Sequence, residues 1–273
     1  MTKHRVPLLR TVSHRAQRFL DVRRSGHREK VHAYQGCHQG RRAFVIGNGP
    51  SVRLEDLECL KDEVTFCCNR FHLAYPRITF RPNYTVVADA RMLQHFGNEI
   101  AEGCRGDLIV GSAYMPRHLD TDFTWVRLKQ RTPFQCSPDV HHHIAPGGSV
   151  VVVALQIAFY MGIREVYLYG IDHEFSFNRI PGDSGLVSGD GNHFLPDYRA
   201  GHAWYPPEIG EIEEALASCR KFYEAHDGQI LNATRGGQLS QMERVNFDQI
   251  APGNLGATPG IAGSGNPARP EPG

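Results

Sequence analysis

Two short glycine turns are the first features of the sequence able to do chemistry. Gly47-Asn48-Gly49-Pro50-Ser51 follows the apolar run Ala43-Phe44-Val45-Ile46 and precedes a helical pattern, a setting in which backbone N–H groups at a helix N-terminus bind phosphate. Glycine permits the tight turn and close ligand approach; Pro50 stiffens the exit, and Ser51 can cap the helix or donate its hydroxyl. The same turn also serves packing alone. Gly147-Gly148-Ser149, directly ahead of a long apolar run, offers a second set of amides for an anion, or simply a loop and an N-cap. Gly170-Ile171-Asp172-His173-Glu174 brings three ionisable groups together just after the strongest strand signal, at the sheet edge where open α/β folds bind ligands. Asp172 is the catalytic candidate there, or a surface turn residue. Further on, Asn192-His193-Phe194 and Gly201-His202-Ala203-Trp204-Tyr205 lie in a long irregular stretch, 175–206, of the kind that forms active-site lids. His202 and His193 are candidates for a general base near neutral pH, or structural loop histidines.

Metal chemistry finds little support in the pattern. His141-His142-His143 cannot all face one ion, because three consecutive residues point apart in a strand or a helix. No Asp-x-Asp stands at a strand end to hold a divalent ion against a diphosphate. No metal site is therefore assigned.

These candidates are joined by a regular alternation. Strand patterns at 42–46, 64–68, 84–88, 108–110, 123–128, 165–169 and 230–232 are interleaved with helical ones at 54–60, 92–100, 149–161 and 207–226. The alternation predicts parallel βαβ units, hence a Rossmann-like α/β fold with a mostly parallel sheet and helices on both faces. The last helix begins at Pro206-Pro207 with Glu208, Glu211, Glu213 and Glu214 near its positive end.

Three regions are expected: a basic, partly helical arm over 1–40, one domain over 41–250, and a tail over 251–273. Residues 1–42 hold eleven Lys and Arg against Asp21 and Glu29, a local charge of +9 that the near-neutral total of +1 conceals. Such an arm suits an anionic membrane surface, or is a solvated, partly helical extension; no nucleic-acid partner is expected. In the tail, glycine and proline make up about half of the residues, a composition that predicts disorder. Hydrophobic content of 41% allows a core without disulfides. The seven cysteines lack Cys-x-x-Cys spacing, so reduced, mostly buried thiols are expected. The longest apolar run, 150–163, is interrupted by Gln156 and is too short for a bilayer. A soluble, cytoplasmic protein, peripheral to the inner membrane if the arm binds lipid, is the expectation.

Four ordered blocks carry a family resemblance. Gly47-Asn48-Gly49-Pro50-Ser51, Cys68-Asn69-Arg70-Phe71, Gly148-Ser149 and Glu165-Val166-Tyr167-Leu168-Tyr169-Gly170-Ile171-Asp172 resemble the motif series of bacterial family forty-two sialyltransferases and, more broadly, of the MptE-like (6-hydroxymethylpterin diphosphokinase-like) domain family. Asn192-His193-Phe194 and Asn232-Ala233-Thr234-Arg235-Gly236-Gly237 look closer to MptE-like bacterial proteins of surface-glycan biosynthesis. The resemblance implies that Asn48, Gly49, Ser51 and Asn69 contact the CMP part of a donor, with Asp89 near a third such position. It makes His202, in a Gly-His pair after His193-Phe194, the first choice of base and His193 the second. It departs from the sialyltransferases at Glu174, where they carry a tyrosine two residues after the Ile-Asp aspartate, and in lacking their second tyrosine and the arginine before their Thr-Ser-Gly turn.

The implied activity is inverting, metal-independent transfer from a nucleotide sugar, a CMP-linked acidic sugar first, to a glycan acceptor, with no cofactor beyond the donor. Two alternatives remain open. One is a diphosphokinase-like enzyme in which Asp89, Asp172 or Glu174 holds Mg²⁺ for ATP; the other is a non-catalytic nucleotide-binding module.

Overall fold

In the computed structural model, residues 26–182 and 185–252 are described. Most of the expected basic arm and nearly all of the expected tail lie outside them. The elements run α1 (His27–Ala33), β1 (Arg42–Ile46), α2 (Leu54–Glu58), β2 (Val64–Cys68), a 3-10 helix (Phe71–Arg77), β3 (Tyr84–Val87), α3 (Ala90–Gly103), β4 (Asp107–Ser112), β5 (Thr124–Arg127), α4 (Val150–Tyr160), β6 (Glu165–Tyr169), β7 (Asn178–Arg179), β8 (Val187–Ser188), α5 (Ile209–Glu224), β9 (Gln229–Asn232), β10 (Glu243–Arg244) and α6 (Phe247–Ile250).

Eight strands form one sheet in the order β10-β9-β6-β1-β2-β3-β4-β5, parallel at every pairing. The fold is therefore α/β and Rossmann-like. Central parallel strands are covered on both faces and read as continuous apolar runs, as Ala43-Phe44-Val45-Ile46 does. Alternation sorts their side chains: Ala43, Val45, Val166 and Leu168 join one core with α4 and α5, while Phe44, Ile46, Tyr167 and Tyr169 face the other, with Leu57 of α2 and Phe247 of α6. A third cluster beneath α3 covers β4 and β5.

α4 is apolar all round because it is buried all round: every residue but Val150 is inside. Burial of each of its Val, Leu and Ile side chains contributes about 1.5–3 kcal/mol. Its one polar residue, Gln156, is fully buried and fully used. Nε2 donates to Ala145 O (2.8 Å) and Val152 O (3.0 Å), and Oε1 accepts from Ser137 N (2.9 Å). Gln156 thus ties the loop that delivers Gly147 and Gly148 to the helix they precede.

α3 starts two residues earlier than its apolar periodicity suggests, because Asp89 caps it, accepting from Arg91 N (2.8 Å) and Met92 N (3.1 Å). The core also reaches back past residue 41 to Val31 of α1, which is 4% exposed. The cysteines are free thiols: Cys67, Cys68 and Cys219 are buried, but Cys37 and Cys59 are exposed, and Cys136 Sγ lies 3.1 Å from Cys219 Sγ. Among the described residues no helix is long and apolar enough to cross a membrane.

Candidate functional site

The strand order decides where a ligand can enter. From β1 the chain builds outward through β2 to β5 on one side, then returns with β6 on the other flank of β1. The carboxyl ends of β1 and β6 meet at this reversal of strand order, which is where open α/β sheets bind ligands. Residues 47–51 leave β1 and residues 170–174 leave β6.

The first turn is closed against its neighbour. Gly47 N donates to Tyr169 O (2.8 Å) and Gly49 N to Gly170 O (3.0 Å), while Ser51 donates to the Asp172 carboxylate through Oγ (2.8 Å) and N (3.4 Å). Pro50 has no N–H. The expected amide cradle for phosphate is therefore not formed: the Gly47, Gly49 and Ser51 amides already hold residues 169–172, and the Asp172 carboxylate sits where an anion would. The glycines serve packing, since a Cβ on Gly47 would lie 2.4 Å from Gly170 O, and one on Gly49 only 1.8 Å from Asp172 Oδ2.

The opposite side of the 170–172 turn is braced by residues 232–238. Ile171 N donates to Thr234 Oγ1 (3.1 Å) and Gln238 N to Asp172 O (2.7 Å). Arg235 binds Asp56 and Asp248, and Asp56 also accepts from the Tyr169 hydroxyl. The Asn-Ala-Thr-Arg-Gly-Gly motif is thus a brace for the turn that carries Asp172.

Beside the turn a chamber of about 160 Å³ opens, lined by Gly47, Asn48, Gly49, Asn69, Ser149, Asp172, His173 and His193 among others. Asn48 Nδ2 donates to Cys68 O (2.7 Å) and Tyr198 Oη (2.9 Å), leaving Oδ1 buried without a partner among the described residues. Asn69 takes a left-handed φ of 52° and donates its N–H to Val86 O (2.9 Å), and its Oδ1 is likewise buried and unpartnered. An unpartnered buried acceptor costs about 1–3 kcal/mol, which a ligand donor would offset.

Tyr198, which the sequence reading did not single out, organises this wall. Its hydroxyl accepts from Asn48 Nδ2 and from Arg70 N (3.1 Å), and its carbonyl accepts from Arg70 Nη1. Arg70, 5% exposed, also grips Glu99 bidentately through Nη2 (2.7 and 2.8 Å). The Cys-Asn-Arg-Phe block therefore supplies two residues that line the chamber, Cys68 and Asn69, and one strut, Arg70. The His193 ring stacks on Tyr198 at 3.7 Å, and burial, with Arg199 nearby, lowers its pKa from 6.5 to about 3.

His173 was noted in the sequence only as one of three ionisable neighbours. It takes a φ of 53°, and Nε2 lies 3.2 Å from Glu213 Oε1 of α5. Its side chain is 5% exposed. The pair crosses 40 residues of sequence, so no local spacing signals it.

At the second turn Gly147 is packed against Ala215, Phe134 and Val152, and Gly148 is less confined. Gly147 (φ 53°) and Gly148 (φ 70°) turn left-handed, and Ser149 caps α4 by accepting from Val151 N (3.2 Å). The N–H of Val150, in the first turn of the helix, has no acceptor among the described residues. A second chamber of about 480 Å³ continues from the first, sharing Asn69, Ser149, Val150, Phe175 and Ile212, and also reaching Asp89, Arg91, Gly148, Arg199 and Trp204.

Of the predicted residues, then, Gly47, Asn48, Gly49, Asn69, Asp172, His193 and Ser149 meet at the first chamber, and Asp89 and Gly148 join Asn69 and Ser149 at the second. Asp89 does so with Oδ1 engaged as the cap of α3. Pro50 and Ser51 line neither chamber. His202 also lines neither: it is exposed, stacked on His95 at 4.3 Å and edge-on to Phe96. The three consecutive histidines diverge, His141 accepting from Arg28, His142 pairing with Asp139 and His143 meeting Arg131. A larger trough of about 1190 Å³ lies at the opposite, amino-terminal ends of β1 and β6, beside Arg42 and Glu165. That is the edge of the sheet where this architecture does not place ligands.

The fold and crevice define a Rossmann-like domain with a chamber at its topological switch point. No protein-family model and no curated protein matches the chain. Among solved structures it is similar to the MAf glycosyltransferase of Magnetospirillum magneticum AMB-1, at 17% identity and a TM-score of 0.48 over 81% of this chain and 38% of that one. The chain thus spans well under half of that protein's length. It is also similar to the sialyltransferase CstII of Campylobacter jejuni in complex with cytidine-5'-monophosphate (13% identity, TM-score 0.39, 74% of this chain and 84% of that one). For the CstII complex with CMP-3FNeuAc the values are 14%, 0.41, 78% and 87%.

Proposed function

We propose that the chain is a glycosyltransferase that binds a nucleotide-activated sugar, with a CMP-linked acidic sugar the favoured donor, and passes the sugar with inversion to a glycan acceptor in bacterial surface-glycan synthesis. The observation that carries this reading is the pair of buried, unpartnered carboxamide oxygens, Asn48 Oδ1 and Asn69 Oδ1, beside one chamber at the switch point. They demand donors, and a nucleotide supplies them as an exocyclic amine and ribose hydroxyls. The motif blocks that resemble the sialyltransferases contain both residues.

In this reading His173 is the general base, oriented by Glu213, and takes the proton of the acceptor hydroxyl. The hydroxyl oxygen bonds to the anomeric carbon as the bond from that carbon to phosphate oxygen breaks, and the nucleotide leaves with the electron pair. The N-terminus of α4 stabilises the charge that develops on the phosphate. His193 shares the chamber, but its lowered basicity suits it to neutral hydrogen bonding. His202, to which the resemblance points, packs on His95 instead. Metal independence fits carboxylates that are engaged separately, Asp89 at its helix cap and Asp172 at Ser51. The diphosphokinase-like alternative would need them to converge on Mg²⁺.

Thermal shift tests the reading with CMP, UDP, GDP and ATP, each with and without Mg²⁺. CMP alone should stabilise the chain by about 2.7 kcal/mol at a hundredfold excess over Kd, and Asn69→Ala should remove most of that gain. Preference for ATP with Mg²⁺ would overturn it. Once a donor is found, His173→Asn should slow transfer by about 10²–10⁴-fold, whereas His202→Ala should leave it nearly unchanged.

A further inference from the structure

The second chamber holds an unusual set of donors. Nε of Arg91, Nε of Arg199 and the indole N–H of Trp204 are all buried and without a hydrogen-bond partner among the described residues, and all three residues line this one cavity. Trp204 is 95% buried by residue. The two guanidinium groups rest on aromatic faces, Arg91 5.4 Å from the Tyr205 ring centre and Arg199 5.0 Å from that of Trp204. Neither is in a salt bridge among the described residues.

Both arginines are half-buried, and it is Nε of each that is left without a partner. A buried charge carries a desolvation cost unless a counter-charge and hydrogen bonds offset it. Burial lowers the pKa of Arg199; Tyr198 and Asp89 oppose that shift, and Arg70 and Arg91 add to it. The acidic residues of the chamber meet that need only in part. Asp89 Oδ1 is engaged by the α3 backbone, and Glu208 and Glu211 are exposed at the mouth, where Glu211 accepts from Gln130 (2.8 Å). The chamber thus carries exposed glutamates at its rim and, further in, three unpartnered donors beside Asp89 and Asn69.

We infer that this chamber is an oxyanion subsite, in which Arg199, Arg91 and the Trp204 indole bind a carboxylate or phosphate group carried by the part of the substrate beyond the nucleotide. Planar guanidinium forks match either group. The inference rests on the reading above only for the order of the two chambers, nucleotide in the narrow one and anionic moiety in the wide one. It stands on different residues, and it commits the substrate to an acidic class.

Trp204 gives a direct readout, since the chain has only one other tryptophan, Trp125. The full-length protein is titrated with inorganic phosphate and, separately, with glucuronate, following tryptophan emission. A saturable change with either probe is expected, and the tighter of the two identifies phosphate or sugar carboxylate as the source. Arg199→Gln should weaken that binding by about tenfold or more, the equivalent of one lost charge-assisted bond, and Trp204→Phe should remove the signal. The CMP-induced thermal shift of Arg199→Gln should match that of the unaltered chain, which also reports that the variant is folded. No saturable response to either anion, or equal affinity in Arg199→Gln, would overturn the inference. Anion binding without any CMP response would instead sink the nucleotide reading and leave this one standing.

Discussion

The two glycine turns look alike in sequence and behave oppositely in the fold. At 47–51 the amides grip the chain leaving β6, and Asp172 fills the position an anion would take. At 147–149 the glycines turn left-handed, Ser149 caps α4, and the helix N-terminus faces open space between two chambers. A glycine turn after a strand is thus compatible with two different tasks. In the first, the missing Cβ admits another backbone; in the second, it admits neighbouring side chains at Gly147 and eases a left-handed turn into the helix at Gly148.

Exchange of the glycines should separate these tasks most sharply. Gly49→Ala drives a methyl into a backbone carbonyl and a tethered carboxylate, and should destabilise the chain by about 3 kcal/mol or more in urea melts. Gly148→Ala meets Ile212 Cγ1 at 3.0 Å, the Glu211 side chain at ordinary contact distance, and a left-handed φ, so about 1–2 kcal/mol is expected. Equal losses would erase the distinction between closed and open turns.

Acid titration probes the wall on the first turn's side, where Phe194 N donates to Asn48 O (2.9 Å) and holds His193 in place. The unfolded imidazole takes its proton near 6.5 and the folded one only near 3. The unfolded state therefore binds the extra proton within that window, and stability falls as pH falls through it, by up to about 1.4 kcal/mol per pH unit. Above pH 7 the residue adds no slope. His193→Phe keeps the stack on Tyr198 and should flatten the acid limb of a stability-versus-pH curve; an unchanged limb would remove His193 from the account.

At the second turn, Ser149→Ala should cost about 1 kcal/mol through the lost cap, visible as a lower denaturation midpoint. The smallest effect is expected from Asp172→Asn. It keeps an acceptor for Ser51 while removing the charge, so stability should change by less than about 0.5 kcal/mol, and phosphate affinity at the first turn should stay undetectable by calorimetry. Phosphate binding in that variant would show the first turn to be an anion site masked by its own aspartate.

Much of the fold was legible because its central strands are continuous apolar runs separated by helical periods. The seven strands read from the sequence coincide with observed ones to within a residue or two. What escaped notice was short: the two-residue β7, β8 and β10, and the four-residue α6, carry too few positions for a period to show. α1 is also short, and the 3-10 helix contains Pro76. The candidate site was legible where local chemistry repeats a motif, as at Asn48, Asn69 and Ser149. It was not legible where partners are brought together by topology. His173 meets Glu213 across 40 residues, Tyr198 meets Asn48 across 150, and the donors of the second chamber come from α3 and the 199–204 loop. His202 carried the right local spacing, yet the loop turns its ring onto His95.

The partnership of Asn48 with Tyr198 has a kinetic consequence. The first strand of the sheet is completed by a neighbour more than a hundred residues later, and the back wall of the first chamber arrives later still. Contacts of such long range form slowly, after their loop-closure entropy has been met. On refolding, secondary structure around β1 to β4 should return before any nucleotide is captured. Capture should coincide with the final recovery of native tertiary signal, which makes ligand uptake a clock for the last step of assembly.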